Sequence, residues 1–258
     1  MERSLKDAFF LTAKAACLLD ARTGRILLQK NAYESLPPAS MTKMMTALLV
    51  LEEVKKGRIS LKDQVKISRR AASMRGSSMR LCAGEKMAVR MLLAGLMVAS
   101  GNDAAVALAE YTFGSVPAFV RRMNERAAEL GLENTYFVNP HGLSASGHCA
   151  SAYDMCLIAR ELVQYEEIFR YTSRKRIVVR RKNKGNILLR NTNTLVGAYP
   201  GVDGLKTGYT PRAKYCLCAT FVSGGKRYIA VVMGLLTKRK RNEEAARLLA
   251  YAAAIVSA

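Results

Sequence analysis

The sequence predicts an α+β architecture: a mainly antiparallel sheet made from strands at both ends of the chain, with helices from its middle packed on both faces. Three observations lead there. Runs with strand character, AACLLD (15–20), RILLQK (25–30), YCLCATFV (215–222) and RYIAVVMGLL (227–236), lie at the two ends. Apolar residues between them recur at helical spacing. No repeat, low-complexity tract or Pro/Gly/Ser linker breaks the 258 residues, so 1–258 reads as one unit in which terminal strands pair and helices layer on them.

The elements follow in order. The first two strands flank ARTG, a hairpin signal. A helix is expected from near Ser40 through MTKMMTALLVLEEVKK to a stop at Gly57. VRMLLAGLMVA (89–99) is apolar all round and should be a buried helix. Helices are expected over Asn102 to Tyr111 and Val116 to Leu130, the second ending at Gly131, and Ser151 is placed to cap one over Ala152 to Gln164. RKRIVV and NILLR around KNKG read as a basic hairpin, and the turn SGGK joins the last two strands. Glu243 to Ala254 closes the chain as an amphipathic helix.

Composition narrows the function classes. No run reaches the ~18 apolar residues of a membrane-spanning helix. The opening MERSLKDAFFLTAK holds only a short AFFL patch, below the about 7–15 residues of a secretory signal core. The chain thus reads as cytoplasmic or as stripped of its signal. With 41 Lys and Arg against 20 Asp and Glu, its formal charge is +21, which calls for an anionic partner: nucleic acid, anionic lipid and an acidic wall polymer all qualify. The six cysteines form no CxxC pair and only two histidines are present, which gives little basis for a zinc site. Cys216 and Cys218 should share one strand face, and the cysteines are expected to be buried free thiols.

Three short motifs carry chemistry. In Ser40-Met41-Thr42-Lys43, an amine and a hydroxyl three apart at a helix start face the same way. A serine is a weak nucleophile until a base takes its proton, and a lysine kept neutral by burial or a nearby cation can be that base. Ser100-Gly101-Asn102 falls in a bend between two buried helices, where a hydroxyl and an amide can relay a proton and orient a substrate amide. In Lys206-Thr207-Gly208 an ammonium and a hydroxyl on a strand can bind a carboxylate, and the glycine lets a ligand approach the backbone. Each triplet alone is better read as an ordinary cap, turn or exposed hairpin.

Together and in this order, SxxK, SxN and KTG resemble the signature set of penicillin-binding proteins and serine β-lactamases. The similarity extends over PPASMTKMMTALLVLE, SGNDAAVALAE, FVRRMNERAAELGLENTYFVNPHGL and VDGLKTGYT to the low-molecular-weight D-alanyl-D-alanine carboxypeptidases of peptidase family S11, across roughly residues 15 to 254. The resemblance implies a β-lactamase/transpeptidase-like fold and a serine D,D-carboxypeptidase acting on peptidoglycan stem peptides. Ser40 would be the nucleophile and Lys43 its base. Ser100 and Asn102 would line the facing wall of the cleft. Lys206 would supply positive field, Thr207 would hold the substrate carboxylate beside Gly208, and the backbone N–H groups of Ser40 and Tyr209 would form the oxyanion hole. Arg241 would be a second carboxylate-binding cation, against a plain reading as one of four consecutive basic residues on a solvated turn.

The resemblance also implies β-lactams as inhibitors, no metal or cofactor, and a place outside the cytoplasm, at the wall or the outer face of the membrane. Two departures from the family pattern fall near the cleft: Ser144 follows HGL where aspartate is common, and Lys214 follows Ala213 where glycine is common. Many members carry a second, β-rich domain and an amphipathic anchor; this sequence matches the first domain. His141 reads as a loop histidine, and His148 receives no role. The basic hairpin (Arg174, Lys175, Arg176, Arg180, Arg181, Lys182, Lys184) reads as readily as a plain solvated hairpin, since alternating strand faces keep its charges from all lining one cleft; as a binding element it lacks interleaved aromatics for base stacking, so anionic wall polymers fit better than nucleic acid. The rivals are a D,D-endopeptidase, a β-lactamase, for which no Glu-x-x-Leu-Asn segment lies between Asn102 and Lys206, and a non-catalytic wall-binding domain.

Overall fold

The computed structural model describes residues 11–181 and 184–256. Most of the AFFL patch and the hairpin-tip residues Lys182 and Asn183 lie outside the described residues. Five strands form one antiparallel sheet: β1 (Ala15–Asp20), β2 (Ile26–Lys30), β7 (Val202–Thr210), β8 (Lys214–Ser223) and β9 (Lys226–Leu235), in the order β2-β1-β9-β8-β7. The first and last strands of the chain are therefore neighbours in the sheet, Cys17 opposite Val231 and Leu18 opposite Ala230.

Directly opposed residues share a face, so Cys17, Val231 and Cys218 make one row and Leu18, Ala230 and Ala219 the other. The second row packs with Ala245, Leu248, Leu249 and Ala252 of the last helix, α8 (Lys238–Val256). The first faces the larger helical layer: α1 (Lys43–Lys55), α2 (Arg69–Ala72), α3 (Val89–Val98), α4 (Asn102–Phe113), α5 (Val116–Glu129), α6 (Ala152–Leu162) and α7 (Phe169–Thr172). Helix α1 is buried along nearly its whole length, because it has the sheet on one side and other helices on the other. The Ser151 hydroxyl caps α6 by accepting from the Asp154 N–H at 3.0 Å, as its position predicts. The expected basic hairpin forms from β5 (Arg176–Arg181) and β6 (Lys184–Arg190).

The structure differs from expectation in three places. Ser40 lies not on the α-helix but on a 3-10 turn, Ala39–Thr42, that runs into α1. The last helix begins at Lys238 rather than Glu243. A small hairpin, β3 (Gln64–Lys66) with β4 (Lys86–Ala88), has strands too short to leave a periodicity. All six cysteines are free thiols, as expected; Cys17, Cys156, Cys216 and Cys218 are buried, whereas Cys82 and Cys149 are only partly so. Among the described residues no helix is long and apolar enough to cross a membrane.

Candidate active site

The site begins with two prolines. Pro37 and Pro38 fix an approach from which Ala39 turns through a left-handed φ of 48°. The Met41 N–H then donates to the Pro38 carbonyl at 3.2 Å and closes the 3-10 turn. That turn lifts Ser40 off the axis of α1 while leaving Lys43 as the first α-helical residue. A second network holds the turn from behind. The Val138 N–H donates to His148 Nδ1 at 2.9 Å, which leaves the proton on Nε2; Nε2 donates to Thr42 Oγ1 at 2.8 Å, and Thr42 Oγ1 donates to the Ala39 carbonyl at 2.8 Å. Burial depresses the His148 imidazole to about 4, so it sits neutral in this chain of bonds. His148 thus has a part in the site that its sequence position did not reveal.

Lys43 is fully buried. Its Nζ lies 2.9 Å from Ser40 Oγ, 2.8 Å from Asn102 Oδ1 and 2.6 Å from the His141 carbonyl. Burial drives its ammonium well below the ordinary lysine range, the charge of Lys206 pushes the same way, and Asp103 opposes. A neutral amine has two N–H bonds and one lone pair. The Asn102 and His141 oxygens can only accept, so they consume the two N–H bonds and the lone pair is left to accept the Ser40 O–H. Asn102 cannot flip out of this role, because its Nδ2 donates to the Arg75 carbonyl at 2.7 Å.

Ser100 sits between α3 and α4 with φ of 62°, a conformation that costs a non-glycine residue about 1 kcal/mol. It is buried, and its hydroxyl has no hydrogen-bond partner among the described residues. The bend is fixed by Asp103. Its carboxylate accepts from Ser78 Oγ at 2.6 Å, from the Met79 and Leu81 N–H groups at 3.1 Å each and from the Ala104 N–H at 2.9 Å, tying the preceding loop to the start of α4.

Strand β7 closes the opposite wall. Gly208 lies so close to the nucleophile turn that an added Cβ would meet the Pro38 carbonyl at 2.8 Å and the Ser40 nitrogen at 3.3 Å. Lys206 opposes Cys218 across the sheet and is buried on the face toward the helices. Its pKa falls to about 7, through burial first and the charge of Arg241 second. Among the described residues its ammonium donates only to the Thr207 carbonyl, at 3.0 Å, and Thr207 Oγ1 donates to Thr192 Oγ1 at 2.7 Å. Tyr209 is half exposed and its ring lies 4.4 Å from that of Tyr215. Arg241, in the first turns of α8, is buried rather than on a solvated turn; its guanidinium has no carboxylate partner among the described residues and bonds only Asn242 Oδ1.

Lys43 thus bonds both Ser40 and Asn102, Ser100 lies in the bend two residues before Asn102, and Lys206, Thr207, Gly208 and Arg241 form a cationic wall on the side of the turn that Gly208 approaches. Ser144 and Thr210 are 3.4 Å apart through their hydroxyls, and Lys214, with φ of 57°, pairs with Thr210 across β7 and β8, so both departures meet at the end of this strand. The His141 carbonyl, Thr42, His148, Asp103 and Thr192 escaped sequence reading: a backbone oxygen has no residue signature, and the others act through partners distant in sequence.

Residues 3–237 match the family described as D-alanyl-D-alanine carboxypeptidase, peptidase S11. The chain is 49% identical over 240 residues to the D-alanyl-D-alanine carboxypeptidase DacF of Bacillus subtilis, covering 93% of this chain and 62% of that one. It is 33% identical to the D-alanyl-D-alanine carboxypeptidase of Streptomyces sp. K15, covering 90% and 84%. The chain therefore spans about three fifths of the length of DacF and several other curated relatives. Among solved structures, penicillin-binding protein 6B of Escherichia coli superposes with a TM-score of 0.87 at 38% identity, covering 93% of this chain and 77% of that one. Penicillin-binding protein D2 of Listeria monocytogenes, in a cefotaxime-bound form, gives 0.83 at 33% identity, covering 93% and 97%. The fold is the transpeptidase-like α+β fold these structures share, and by sequence and structure alike the chain belongs to the D-alanyl-D-alanine carboxypeptidase family, S11.

Proposed function

We propose that residues 1–258 form one catalytic domain, a serine D,D-carboxypeptidase that removes the terminal D-alanine from peptidoglycan stem pentapeptides. The observation that carries this is the buried Lys43 amine, with both N–H bonds occupied and its lone pair facing the Ser40 hydroxyl. Ser40 Oγ attacks the carbonyl between the last two D-alanines as its proton passes to Lys43. The backbone N–H groups of Ser40 and Tyr209 receive the oxyanion. In this reading the Ser100 hydroxyl passes a proton to the departing D-alanine amine, and Asn102 holds both Lys43 and the peptide. Thr207, Lys206 and Arg241 hold the terminal carboxylate, with Gly208 admitting the substrate backbone. Water then hydrolyses the Ser40 ester. No step calls for a metal or cofactor. β-Lactams present the same carbonyl and carboxylate and should acylate Ser40.

The reading places the enzyme outside the cytoplasm, at the wall or the outer face of the membrane. The +21 charge calls for an anionic long-range partner, and a place at the wall together with the lack of stacking aromatics in the basic hairpin makes wall polymers rather than nucleic acid the expected one. The test is D-alanine release from diacetyl-Lys-D-Ala-D-Ala, with Ser40→Ala as control. Release from wild type that disappears in the variant supports the assignment; well-folded wild type that releases none refutes it. Nitrocefin separates the β-lactamase reading: a burst stopping at one equivalent fits a peptidase, sustained turnover does not. Cleavage of a cross-linked stem-peptide dimer faster than the tripeptide would point to an endopeptidase.

A further inference from the structure

A groove of about 1080 Å³ runs between the β3–β4 hairpin, the first turn of α3 and the basic β5–β6 hairpin, and shares no lining residue with the Ser40 site. Its wall carries Lys86, Arg90, Arg180, Arg181 and Lys184 against a single carboxylate, Glu85. That carboxylate is already taken, since Arg181 Nη2 donates to Glu85 Oε2 at 2.6 Å and both residues are largely buried. Lys86, Arg90 and Arg180 are exposed and have no acidic partner among the described residues. The first N–H groups of α3 are already taken, Val89 donating to the Asp63 carbonyl and Arg90 to the Leu61 carbonyl at 3.0 Å each, so the positive potential of the groove comes from its side chains. Met87, Met91 and Val178 give the groove an apolar part.

Like charges gathered without partners repel one another, and surface lysines and arginines are ordinarily interspersed with carboxylates. The Arg181–Glu85 clamp fixes the basic hairpin to the β4 side of the groove, so the cluster is held in place rather than spread over a loose surface. A ligand that relieves it must carry several anions at intervals along a chain. A phosphodiester suits the arginines in particular: it stays ionised throughout the pH range of the wall and offers two free oxygens per repeat to a planar guanidinium fork. We propose that this groove is a binding site for a polyol-phosphate polymer of the cell envelope, seated on Lys86, Arg90, Arg180 and Lys184. The proposal gives the anionic partner of the preceding reading a site, and rests on that reading only in placing the protein at the wall. Long-range attraction draws the protein to the polymer, and the groove then holds it while the Ser40 cleft, with separate walls, stays open to stem peptide.

The experiment measures binding of short synthetic poly(glycerol phosphate) to the full chain by fluorescence anisotropy at physiological salt. It compares wild type with the double variant Arg90→Gln/Arg180→Gln and with a charge-matched control, Arg25→Gln/Arg121→Gln, elsewhere on the surface. The expected result is a dissociation constant about tenfold weaker in the groove variant only, as for two lost exposed charge contacts, with melting temperatures and D-alanine release unchanged. Equal weakening in both double variants would reduce the effect to net charge and overturn the site. So would absence of binding by wild type, equal binding of poly-glutamate, or a preference for phosphatidylglycerol vesicles over the free polymer. Since binding is read without turnover, a protein that binds polymer but releases no D-alanine would sink the peptidase reading and leave the groove standing.

Discussion

Lys43 and Lys206 form a pair in which one cation keeps the other neutral. Burial depresses both, and the charge on Lys206 adds to the depression of Lys43. Replacing Lys206 by glutamine removes a like charge, so the Lys43 ammonium should persist to higher pH. The acidic limb of Ser40 acylation by fluorescent penicillin is expected to move upward in pH, apart from any uniform loss from weaker carboxylate binding. A lower rate with an unmoved limb would show that burial alone keeps Lys43 neutral. His148 supplies the other titration. Its folded pKa of about 4 lies below the ordinary 6.5, so the unfolded chain binds the proton more readily. Its contribution to stability is therefore complete above the ordinary value and is lost as pH falls from about 6.5 toward 4. Between about pH 7 and pH 5 the wild type should lose about 2 kcal/mol through this residue, measured by urea unfolding, and His148→Gln should lose that much less. His141, depressed to about 3 by burial and by Lys43, loses stability in the same direction in both proteins; an identical acid loss in the variant would mean that His148 does not titrate between those limits. The nucleophile and its base were legible in the sequence because their chemistry needs a fixed local spacing. The supports were not, because Thr42 and His148 meet across 106 residues.

Elements set how closely those residues can approach. Two glycines share a left-handed φ, Gly142 at 85° and Gly57 at 72°, but differ in their surroundings. Nothing lies within 4 Å of a Cβ built on Gly57, whereas one on Gly142 would fall onto the Ala39 carbonyl and press on Thr42 Oγ1 at 2.9 Å. Alanine at Gly57 should thus cost only the left-handed penalty, about 1 kcal/mol. Alanine at Gly142 should cost that plus a backbone displacement, about 3 kcal/mol in all, together with slower penicillin acylation because the nucleophile turn must shift. Urea midpoints and acylation rates on the two variants test this; equal costs would mean that the His141–Gly142 loop yields freely. The same scale explains which elements could be foreseen. Ser151 and Gly131 mark helix ends by local chemistry, and the structure places helix ends next to them. The turn at Ser40 depends on a left-handed Ala39 held by the Thr42–His148 bonds, so a local reading extends α1 through it. Helix α8 starts early in a run of lysine and arginine that resembles a solvated turn, and only the packed sheet face makes Arg241 a buried residue.

The whole molecule is closed by its two ends. Strand character at both ends was readable from short apolar runs around turn signals, and the structure seats β1 beside β9; the order of the other strands depends on pairings that no local pattern encodes. Closure has a specific fastening. Glu244, buried in α8, accepts from the Thr12 N–H at 2.8 Å, from Thr12 Oγ1 at 2.5 Å and from the Ala13 N–H at 3.0 Å, so the segment leading into β1 is held by the helix that carries Arg241. Removing the carboxylate strands the buried Ala13 N–H and breaks two bonds from Thr12, whose exposed side can turn to water. Glu244→Ala should therefore cost about 2–4 kcal/mol, and Glu244→Gln less, since its amide oxygen can still accept. The fastening lies on the α8 side of the sheet, and the Ser40, Lys43 and Asn102 contacts are made on the other. At low temperature, where the variant remains folded, penicillin should label Ser40 at close to the wild-type rate while the urea midpoint falls. An unchanged midpoint would mean that strand pairing alone closes the sheet. A fallen midpoint with labelling also lost in folded protein would mean that α8 transmits the displacement to Arg241, and that the fastening sets the carboxylate-binding wall as well as the stability of the fold.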